Sequence, residues 1–318
     1  MTALLETQNL TRLFAPGRGI SGLDLAVYPG EIFGYLGPNG AGKTTTIRLI
    51  MGFVRPQKGS VKIFGKKASP PGAEQRRQIG YLPGDLAFPE NFTGDQALRF
   101  YEKLSGAKAV HRDWLCAELD FSSTDRSRRV KTYSKGMKQK LGLVQAMQHD
   151  PSFMIFDEPT SGLDPIVQEH LFDILRELRD RGRTIFFSSH ILSEIERLCD
   201  RVGVVRDAQL ILNSTLHELF SGAERLLWIK MAGAADLEGP VAGAGTVPAI
   251  ARARFLRSEP GGWLVYRVAP GDSRRMLAEL AVLNPLDFMY EPAVEETFLR
   301  LYGVQSYSGR SNDASSVS

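Results

Sequence analysis

The stretch Gly37-Pro38-Asn39-Gly40-Ala41-Gly42-Lys43-Thr44-Thr45 decides the fold of this chain. It fits the phosphate-loop pattern G-x-x-x-x-G-K-[ST] at every fixed position. The apolar run 32–36 before it predicts a buried strand, and residues 44–53 after it predict a helix with apolar side chains at helical spacing. Glycines let the backbone N–H groups converge on one phosphate, and the helix adds the positive end of its dipole. A glycine-rich turn that matches by chance is the alternative, and the flanking strand and helix disfavour it.

The pattern predicts a specific chemical role for two side chains of this loop. Lys43 would reach the outer phosphates of a nucleotide, and the Thr44 hydroxyl would hold Mg²⁺.

Bulk composition excludes several classes of protein. The 318 residues are 43% hydrophobic and 24% charged, with a net charge of +3, so nucleic acid is not expected as the main partner. Cys116 and Cys199 lie far apart and predict no disulfide framework. Residues 1–13 lack the apolar core of a secretion signal, and no window approaches 18 uninterrupted apolar residues. We therefore expect any membrane spans to belong to another subunit.

The order of strand and helix signals predicts the fold class. Residues 1–220 are predicted to form an α/β phosphate-loop NTPase core, in which helices cover the faces of a parallel sheet. An antiparallel β subdomain is expected near the start of this core, and a helical insertion at about 84–150. Residues 221–303 are predicted to form a small C-terminal α+β domain with helices at 273–282 and 293–301, and the Ser-rich tail 304–318 is expected to be disordered. The predicted strands of the core are 4–7, 23–27, 32–36, 60–64, 79–82, 153–156, 184–187 and 202–205, and its helices are 44–53, 95–104, 113–119, 135–148, 165–181 and 191–198.

A second nucleotide element is the run 153–158, an apolar strand that ends in Asp157 and Glu158. Acids at the end of such a strand lie at the carboxyl edge of the sheet, where open α/β folds bind ligands. Asp157 would hold Mg²⁺, and Glu158 would polarise an attacking water. A pair of solvated acids that merely follow a strand is the alternative, and the phosphate loop argues against it.

The motifs around the acid pair resemble those of the ATP-binding cassette (ABC) ATPases over about residues 4–215. Tyr133-Ser134-Lys135-Gly136-Met137-Lys138-Gln139 begins a helix and resembles the family's signature motif. Pro159-Thr160-Ser161-Gly162-Leu163-Asp164 resembles the D-loop, and Ser188-Ser189-His190 ends the next strand. Phosphate loop, signature, acid pair, D-loop and switch histidine follow one another in the family's order. Kinases and small GTPases share the first motif but not the others.

The resemblance implies a role for each matching residue. Phe14 would stack on adenine, although a core aromatic remains an alternative. Ser134 and Gly136 would bind the γ-phosphate of ATP held by a second copy, Asp164 would cross between the copies while also capping a helix, and His190 would bond the γ-phosphate. An ordinary helix cap and a structural histidine are the plain alternatives. The loop residues expected to bind ATP are Gly37, Pro38, Asn39, Gly40, Ala41, Gly42, Lys43, Thr44 and Thr45.

Two departures from the family pattern affect the expected hydrolysis rate more than ATP binding. The family usually has Gln after the strand 79–82, where this chain has Pro83-Gly84-Asp85. Gly84 has no side chain for that role, and Asp85 is a candidate substitute. In the signature, Tyr133 replaces Leu, Lys135 replaces Gly and Met137 replaces Gln. The resemblance implies that such variants occur in exporters with a separately encoded membrane protein, including drug and antibiotic resistance pumps, and the run 295–303 resembles the tail domain of that group.

The sequence thus predicts the ATPase subunit of an exporter, with ATP and Mg²⁺ as cofactors. We expect a dimer with a second copy of itself, and a separate transmembrane permease that holds the dimer at the cytoplasmic face of the cell membrane. A cassette ATPase that acts on ribosomes or DNA is the first alternative, which the single cassette and the compact insertion disfavour. A regulatory cassette that hydrolyses ATP poorly is the second, which Glu158 and His190 disfavour.

Overall fold

In a computed structural model of the protein, the strand before the phosphate loop lies inside a six-stranded sheet. This strand, β3 (Ile32–Leu36), is buried along its whole length and pairs in parallel with β8 (Thr184–Ser189) and β9 (Arg201–Arg206). The other members are β7 (Phe153–Asp157) and β6 (Ile79–Leu82), both parallel, and β10 (Gln209–Thr215), which pairs antiparallel with β9. The order β10-β9-β3-β8-β7-β6 brings the carboxyl ends of β3, β8 and β7 side by side.

The structure describes residues 2–68, 72–221, 225–230, 250, 253–269, 276, 278, 280, 281, 283 and 285–292. The chain divides into two units, Met1–Leu216 and His217–Ser318, slightly before the predicted boundary. Each unit is described by itself.

A second, antiparallel sheet in the first unit has the order β2-β1-β4-β5. Its strands are β1 (Leu5–Ala15), β2 (Arg18–Val27), β4 (Lys58–Ile63) and the short β5 (Lys66–Lys67). The antiparallel layer was predicted, but β1 and β2 are longer than expected. A register shift after Thr7 explains the difference, because a bulge there breaks the alternation of buried and exposed side chains, and Asn9 takes a positive φ of 44°.

One hydrophobic core joins the two sheets of the first unit. Helix α1 (Lys43–Ile50) buries Ile47, Leu49 and Ile50 in it, and α2 (Ala73–Arg77) lies next to β6 in the sequence. The core therefore holds the helix that follows the phosphate loop in a fixed place against β3. The fully buried side chains of this core include Leu5, Leu10, Ile20, Leu23, Val27, Phe33, Tyr35, Val61, Ile63, Phe153, Ile155 and Phe186.

The predicted helical insertion is confirmed as a series of helices between β6 and β7. They are α3 (Gly94–Ser105), α4 (Arg112–Glu118), the unpredicted α5 (Ser123–Ser127), a 3-10 turn (Val130–Thr132) and α6 (Lys135–Met147). Thr93 caps α3 in a capping box with Gln96, which explains why the start of this helix was readable from the sequence.

After β7 the alternation of helices and strands returns as predicted. Helix α7 (Pro165–Asp180) starts at the Asp164 cap, and α8 (Leu192–Leu198) follows β8. The buried face of α7 consists of Val167, Leu171, Phe172, Ile174, Leu175 and Leu178. Strand β10 and helix α9 (Leu216–Ser221) were not predicted; β10 alternates intermediate and exposed residues at the edge of the sheet, so it lacks the apolar run of a central strand.

The second unit contains a four-stranded antiparallel sheet of order β12-β13-β11-β14. Its strands are β11 (Arg225–Lys230), β12 (Ala253–Glu259), β13 (Trp263–Val268) and β14 (Asp287–Pro292). Met276 and Leu280, described residues of the predicted helix 273–282, are buried against this sheet with Leu227, Ile229 and Leu264. The predicted helix 293–301 and the tail 304–318 lie outside the described residues.

Across the described ranges of both units, no helix combines the length and the apolar character that crossing a bilayer requires.

Gly34 in β3 tests how tightly α8 is packed on the sheet. A Cβ at this position would lie 2.9 Å from Cys199 Sγ and 2.9 Å from Ile195 Cδ1, so Gly34→Ala should lower the free energy of unfolding by about 1–3 kcal/mol. Urea denaturation measures the change. The double variant Gly34→Ala/Cys199→Ala should lose less than the sum of the single losses, because the new methyl takes space left by Sγ. Full additivity would contradict this packing.

Candidate functional site

The phosphate loop connects β3 to α1 in a backbone conformation that glycine permits. Gly40 and Gly42 have φ of 84° and 115°, in the region that L side chains rarely adopt. A Cβ on Gly42 would also lie 2.2 Å from the Gly19 carbonyl oxygen, so no larger residue fits there. The loop ends directly at the N-terminus of α1, where unpaired backbone N–H groups favour an anion.

A cavity of about 400 Å³ opens in front of this loop. Phe14 lies on its wall and is 59% exposed, so the alternative of a core aromatic is wrong for this residue. Gly37 and Ala41 are not among the lining residues; Ala41 is buried in the core, and a Cβ on Gly37 would meet the Val205 carbonyl oxygen at 2.5 Å. Pro38 likewise is not a lining residue. The lining residues are Phe14, Ala15, Arg18, Gly19, Asn39, Gly40, Gly42, Lys43, Thr44, Thr45 and Glu158.

Lys43 is only 5% exposed, and its ammonium group is surrounded by oxygen atoms. Nζ donates to the carbonyl oxygens of Gly37, at 2.6 Å, and Pro38, at 3.3 Å. It also forms an ion pair with Glu158 Oε1 at 3.2 Å. The positive charge is therefore compensated by a carboxylate that a phosphate group would have to displace.

Asp157, 1% exposed, joins the phosphate loop to the neighbouring strands. Its Oδ2 accepts a hydrogen bond from Thr44 Oγ1 at 2.8 Å, and its Oδ1 accepts one from Ser188 Oγ at 2.7 Å. A hydroxyl and a carboxylate oxygen side by side are ligands that fit Mg²⁺, which typically keeps waters and binds one or two carboxylates together with substrate phosphates. Within the described part of the chain, no group of three or more His, Cys, Asp or Glu side chains could hold a metal by itself.

Glu158 follows the end of β7 and has a positive φ of 52°. Its backbone N–H donates to Ser188 Oγ at 3.1 Å and to the Ser188 carbonyl oxygen at 3.3 Å, which holds this unusual turn in place. The carboxylate lies between the side chains of Lys43 and His190. Oε1 contacts Lys43, and Oε2 lies 3.4 Å from His190 Nδ1. The two residues predicted to be catalytic are thus adjacent.

The signature residues lie apart from this cavity in the same chain. Ser134 caps α6, with Oγ accepting from the Met137 N–H at 3.2 Å, and neither Ser134 nor Gly136 is among the cavity's lining residues. Lys135 Nζ donates to Ser161 Oγ at 2.8 Å, and a Cβ on Gly136 would lie 2.7 Å from the Gly162 carbonyl oxygen. The start of α6 is therefore packed against the segment 159–164.

Tyr133, which departs from the family pattern, has a structural explanation. Its ring packs edge-on against Phe121, with centroids 5.9 Å apart, and its hydroxyl donates to the Asp125 carbonyl oxygen at 2.8 Å. Burial raises the pKa of Tyr133 to about 12, so it remains a neutral phenol at physiological pH.

Asp164 caps α7, as the sequence predicted. Its Oδ1 accepts hydrogen bonds from Val167 N–H at 3.0 Å and Ile166 N–H at 3.1 Å. The bond from Val167 is the largest cause that lowers the pKa of this carboxyl group, so Asp164 stays ionised at neutral pH.

Gly84 and Asp85 line a second, smaller cavity of about 240 Å³, which shares Thr44 and Glu158 with the first. The backbone at Gly84 runs so close to Asp157 that a Cβ there would lie 3.3 Å from Oδ2. The lining residues are Thr44, Arg48, Tyr81, Pro83, Gly84, Asp85, Asp157, Glu158 and Ser161.

Sequence reasoning missed Ser188, Ser161 and the two arginines of the cavities, Arg18 and Arg48. A signal for Ser188 existed, since β7 and β8 are neighbouring parallel strands and their register pairs Asp157 with Ser188. Residues that end adjacent parallel strands meet at one edge of the sheet. The other three are brought to the site by tertiary contacts that no local pattern encodes.

Comparison with known proteins places this chain in a family. Residues 20–161 match the family model described as "ABC transporter". The chain is 37% identical over 212 residues to the bacitracin transport ATP-binding protein BcrA of Bacillus licheniformis, which covers 66% of this chain and 69% of that protein. It is 31% identical over 307 residues to the Nod factor export ATP-binding protein I of Cupriavidus metallidurans, covering 95% and 98% of the two chains. A solved structure of an ATP-binding subunit of an ABC transporter superposes with a TM-score of 0.63 at 30% identity, over 68% of this chain and 91% of the other.

Ser188 offers a test of the hydrogen-bond network around the two acids. Ser188→Ala leaves the buried Asp157 carboxylate and the Glu158 N–H without their shared hydroxyl, so the free energy of unfolding should fall by about 1–3 kcal/mol in chemical denaturation. Ser152→Ala is the matched control, because its hydroxyl lies 3.5 Å from the Gln78 carbonyl oxygen, at the limit of a hydrogen bond. Equal stability of both variants would show that the network is unimportant.

Proposed function

This chain belongs to the ABC transporter family and is an ATPase, and we propose that it is the ATP-hydrolysing subunit of an exporter whose membrane-spanning part is a separate permease. The observation that supports this most is the meeting of four side chains at the carboxyl edge of the sheet: Lys43, Thr44 and Glu158 line one cavity, and Asp157 accepts a hydrogen bond from Thr44. These are the groups that binding and hydrolysing a nucleoside triphosphate requires.

We assign ATP to the larger cavity. Phe14 stacks on the adenine ring, the loop 37–45 surrounds the phosphates, and Lys43 exchanges its contact with Glu158 for the outer phosphates. Thr44 and Asp157 hold Mg²⁺, whose charge offsets that of the phosphate oxygens when it is bound.

Glu158 and His190 carry out the hydrolytic step in this proposal. The Glu158 carboxylate accepts a proton from a water molecule while the water oxygen bonds to the γ-phosphorus, and the bond to the leaving ADP oxygen breaks. His190, beside Glu158 Oε2, donates a hydrogen bond to the γ-phosphate. This arrangement disfavours the alternative of a regulatory cassette that hydrolyses ATP poorly.

A second copy of the chain completes each ATP site. Ser134 and Gly136 lie outside the cavity of their own chain, at the N-terminus of the thirteen-residue helix α6, and Ser134 is exposed, so this helix end can meet an anion from outside. We propose that they bind the γ-phosphate of ATP held by the other copy, and that Asp164 lies at the same dimer interface.

The permease is proposed to bind the helical region between β6 and β7 and so to hold the dimer at the cytoplasmic face of the membrane. Aromatic side chains gather there in edge-to-face pairs, Phe88 with Tyr101 and Phe92 with Phe100, and Phe100 is 39% exposed. A partly apolar surface suits a helix of a membrane protein better than a polyanion, which agrees with the net charge of +3 and disfavours ribosomes or DNA as partners. Turnover measured with and without the co-expressed permease tests this coupling.

The two relatives named above are called transport and export proteins for different cargoes, bacitracin and Nod factor. We therefore propose that the permease, and not this chain, selects the cargo.

Glu158→Gln tests the catalytic role of the carboxylate. The variant should retain ATP binding but lose at least about a hundredfold in turnover, because the amide cannot accept the proton of the attacking water. It should also accumulate a dimer in the presence of ATP, seen by size-exclusion chromatography. Glu177→Gln, on an exposed face of α7, is the control with the same charge change. Parental turnover in Glu158→Gln would show that another group is the base.

Lys43→Ala tests the phosphate-loop assignment by a binding measurement alone. Removing the buried ammonium group should weaken ATP binding by about tenfold or more in calorimetry, since the phosphates lose their main protein cation. Lys58→Ala, in β4 and away from the cavity, serves as the control. Undiminished affinity of Lys43→Ala would overturn the assignment.

A further inference from the structure

We propose that Asp85 is a third carboxylate of the ATP site, and that it makes the site prefer ATP with bound Mg²⁺ over ATP without a metal. This inference rests on the proposed function, because it assigns a residue to the metal-and-phosphate end of that site.

The smaller cavity connects Asp85 with this end of the site. It is lined by Thr44 and Asp157, the proposed metal ligands, and by Glu158, the proposed base. Its volume of about 240 Å³ leaves room for several water molecules between these groups and Asp85. Asp85 therefore faces the same solvent-filled space as the groups that would meet the metal and the attacking water.

The packing of Gly84 explains why the following residue takes this place. A Cβ at position 84 would lie 3.3 Å from Asp157 Oδ2 and 3.5 Å from its Cγ, which is tighter than most contacts of a Cβ. A side chain at Gly84 would therefore press on the buried carboxylate. Pro83 and Gly84 carry no polar side-chain atom, so Asp85 is the first residue after β6 that brings one to the cavity.

Charge determines what Asp85 does there. Asp157 accepts two hydrogen bonds from uncharged hydroxyl groups, and Glu158 is paired with Lys43 only until the phosphates take that lysine. Asp85 adds a negative charge to the lining of this cavity, and Arg48 is the cation among the cavity's lining residues. An added negative charge repels bare phosphates and attracts a divalent cation. The charge of Asp85 acts electrostatically through the water in the cavity, without direct contact between Asp85 and the metal.

The experiment compares dissociation constants of a non-hydrolysable ATP analogue measured by calorimetry, in excess EDTA and in excess Mg²⁺, for the full chain. In Asp85→Asn the analogue should bind more tightly in EDTA and more weakly in Mg²⁺. The ratio of the two constants should shift by roughly three- to tenfold, as expected for one charge in a partly hydrated cavity. Binding is the readout, so the result does not depend on turnover.

Three further variants make the result specific. Glu90→Gln removes a carboxylate from the same segment but outside the cavity, and it should leave the ratio unchanged. Arg48→Gln removes the cavity's cation, and it should shift the ratio in the opposite direction. Asp85→Glu keeps the charge, and it should keep the parental preference even if its length alters the fit.

The outcomes separate this inference from the proposed function. A parental ratio in Asp85→Asn, or an equal shift in Glu90→Gln, would overturn the role of Asp85 while leaving the ATP site intact. A parental protein that binds the analogue in neither condition would instead overturn the assignment of the cavity to ATP.

Discussion

The hydrogen bond from Thr44 Oγ1 to Asp157 Oδ2 is the contact on which the site depends. It joins the first turn of α1 to the end of β7, two places separated by more than a hundred residues of sequence. Ser188 fixes the other oxygen of the same carboxylate, so the ends of β7 and β8 and the phosphate loop share one buried anion. A buried carboxylate needs hydrogen-bond partners, and these same partners fix the phosphate loop against the ends of β7 and β8.

The parts of the site that sequence predicted are those encoded by short local patterns. The phosphate loop needs glycines at fixed positions, the helix caps at Ser134 and Asp164 need short polar side chains, and a buried parallel strand needs a continuous apolar run. Each constraint acts within a few residues and therefore leaves a readable signature. The central sheet and the helical insertion followed from these signals.

The parts that sequence did not predict depend on neighbours distant in the chain. Ser188 acquires its role because β8 lies beside β7, and the glycine at position 84 is explained by the closeness of the Asp157 carboxylate. The extent of β1 was hidden by a bulge, and β10 by its place at the edge of the sheet. The residues that differ from the family's signature motif are explained by their contacts with distant parts of the chain. Tyr133 is anchored within the helical region, and Lys135 reaches Ser161 of the D-loop.

The ion pair between Lys43 and Glu158 affects how nucleotide binding by a variant at Glu158 should be interpreted. Replacing Glu158 by glutamine changes two properties at once. It removes the proposed base, and it also releases the lysine from its competitor, so phosphates meet a cation that no longer has to be taken from a carboxylate. Tighter nucleotide retention in such a variant would thus contain an electrostatic part that exists in a single chain before any dimer forms. Trapped nucleotide alone is therefore an ambiguous measure of stalled hydrolysis in this protein.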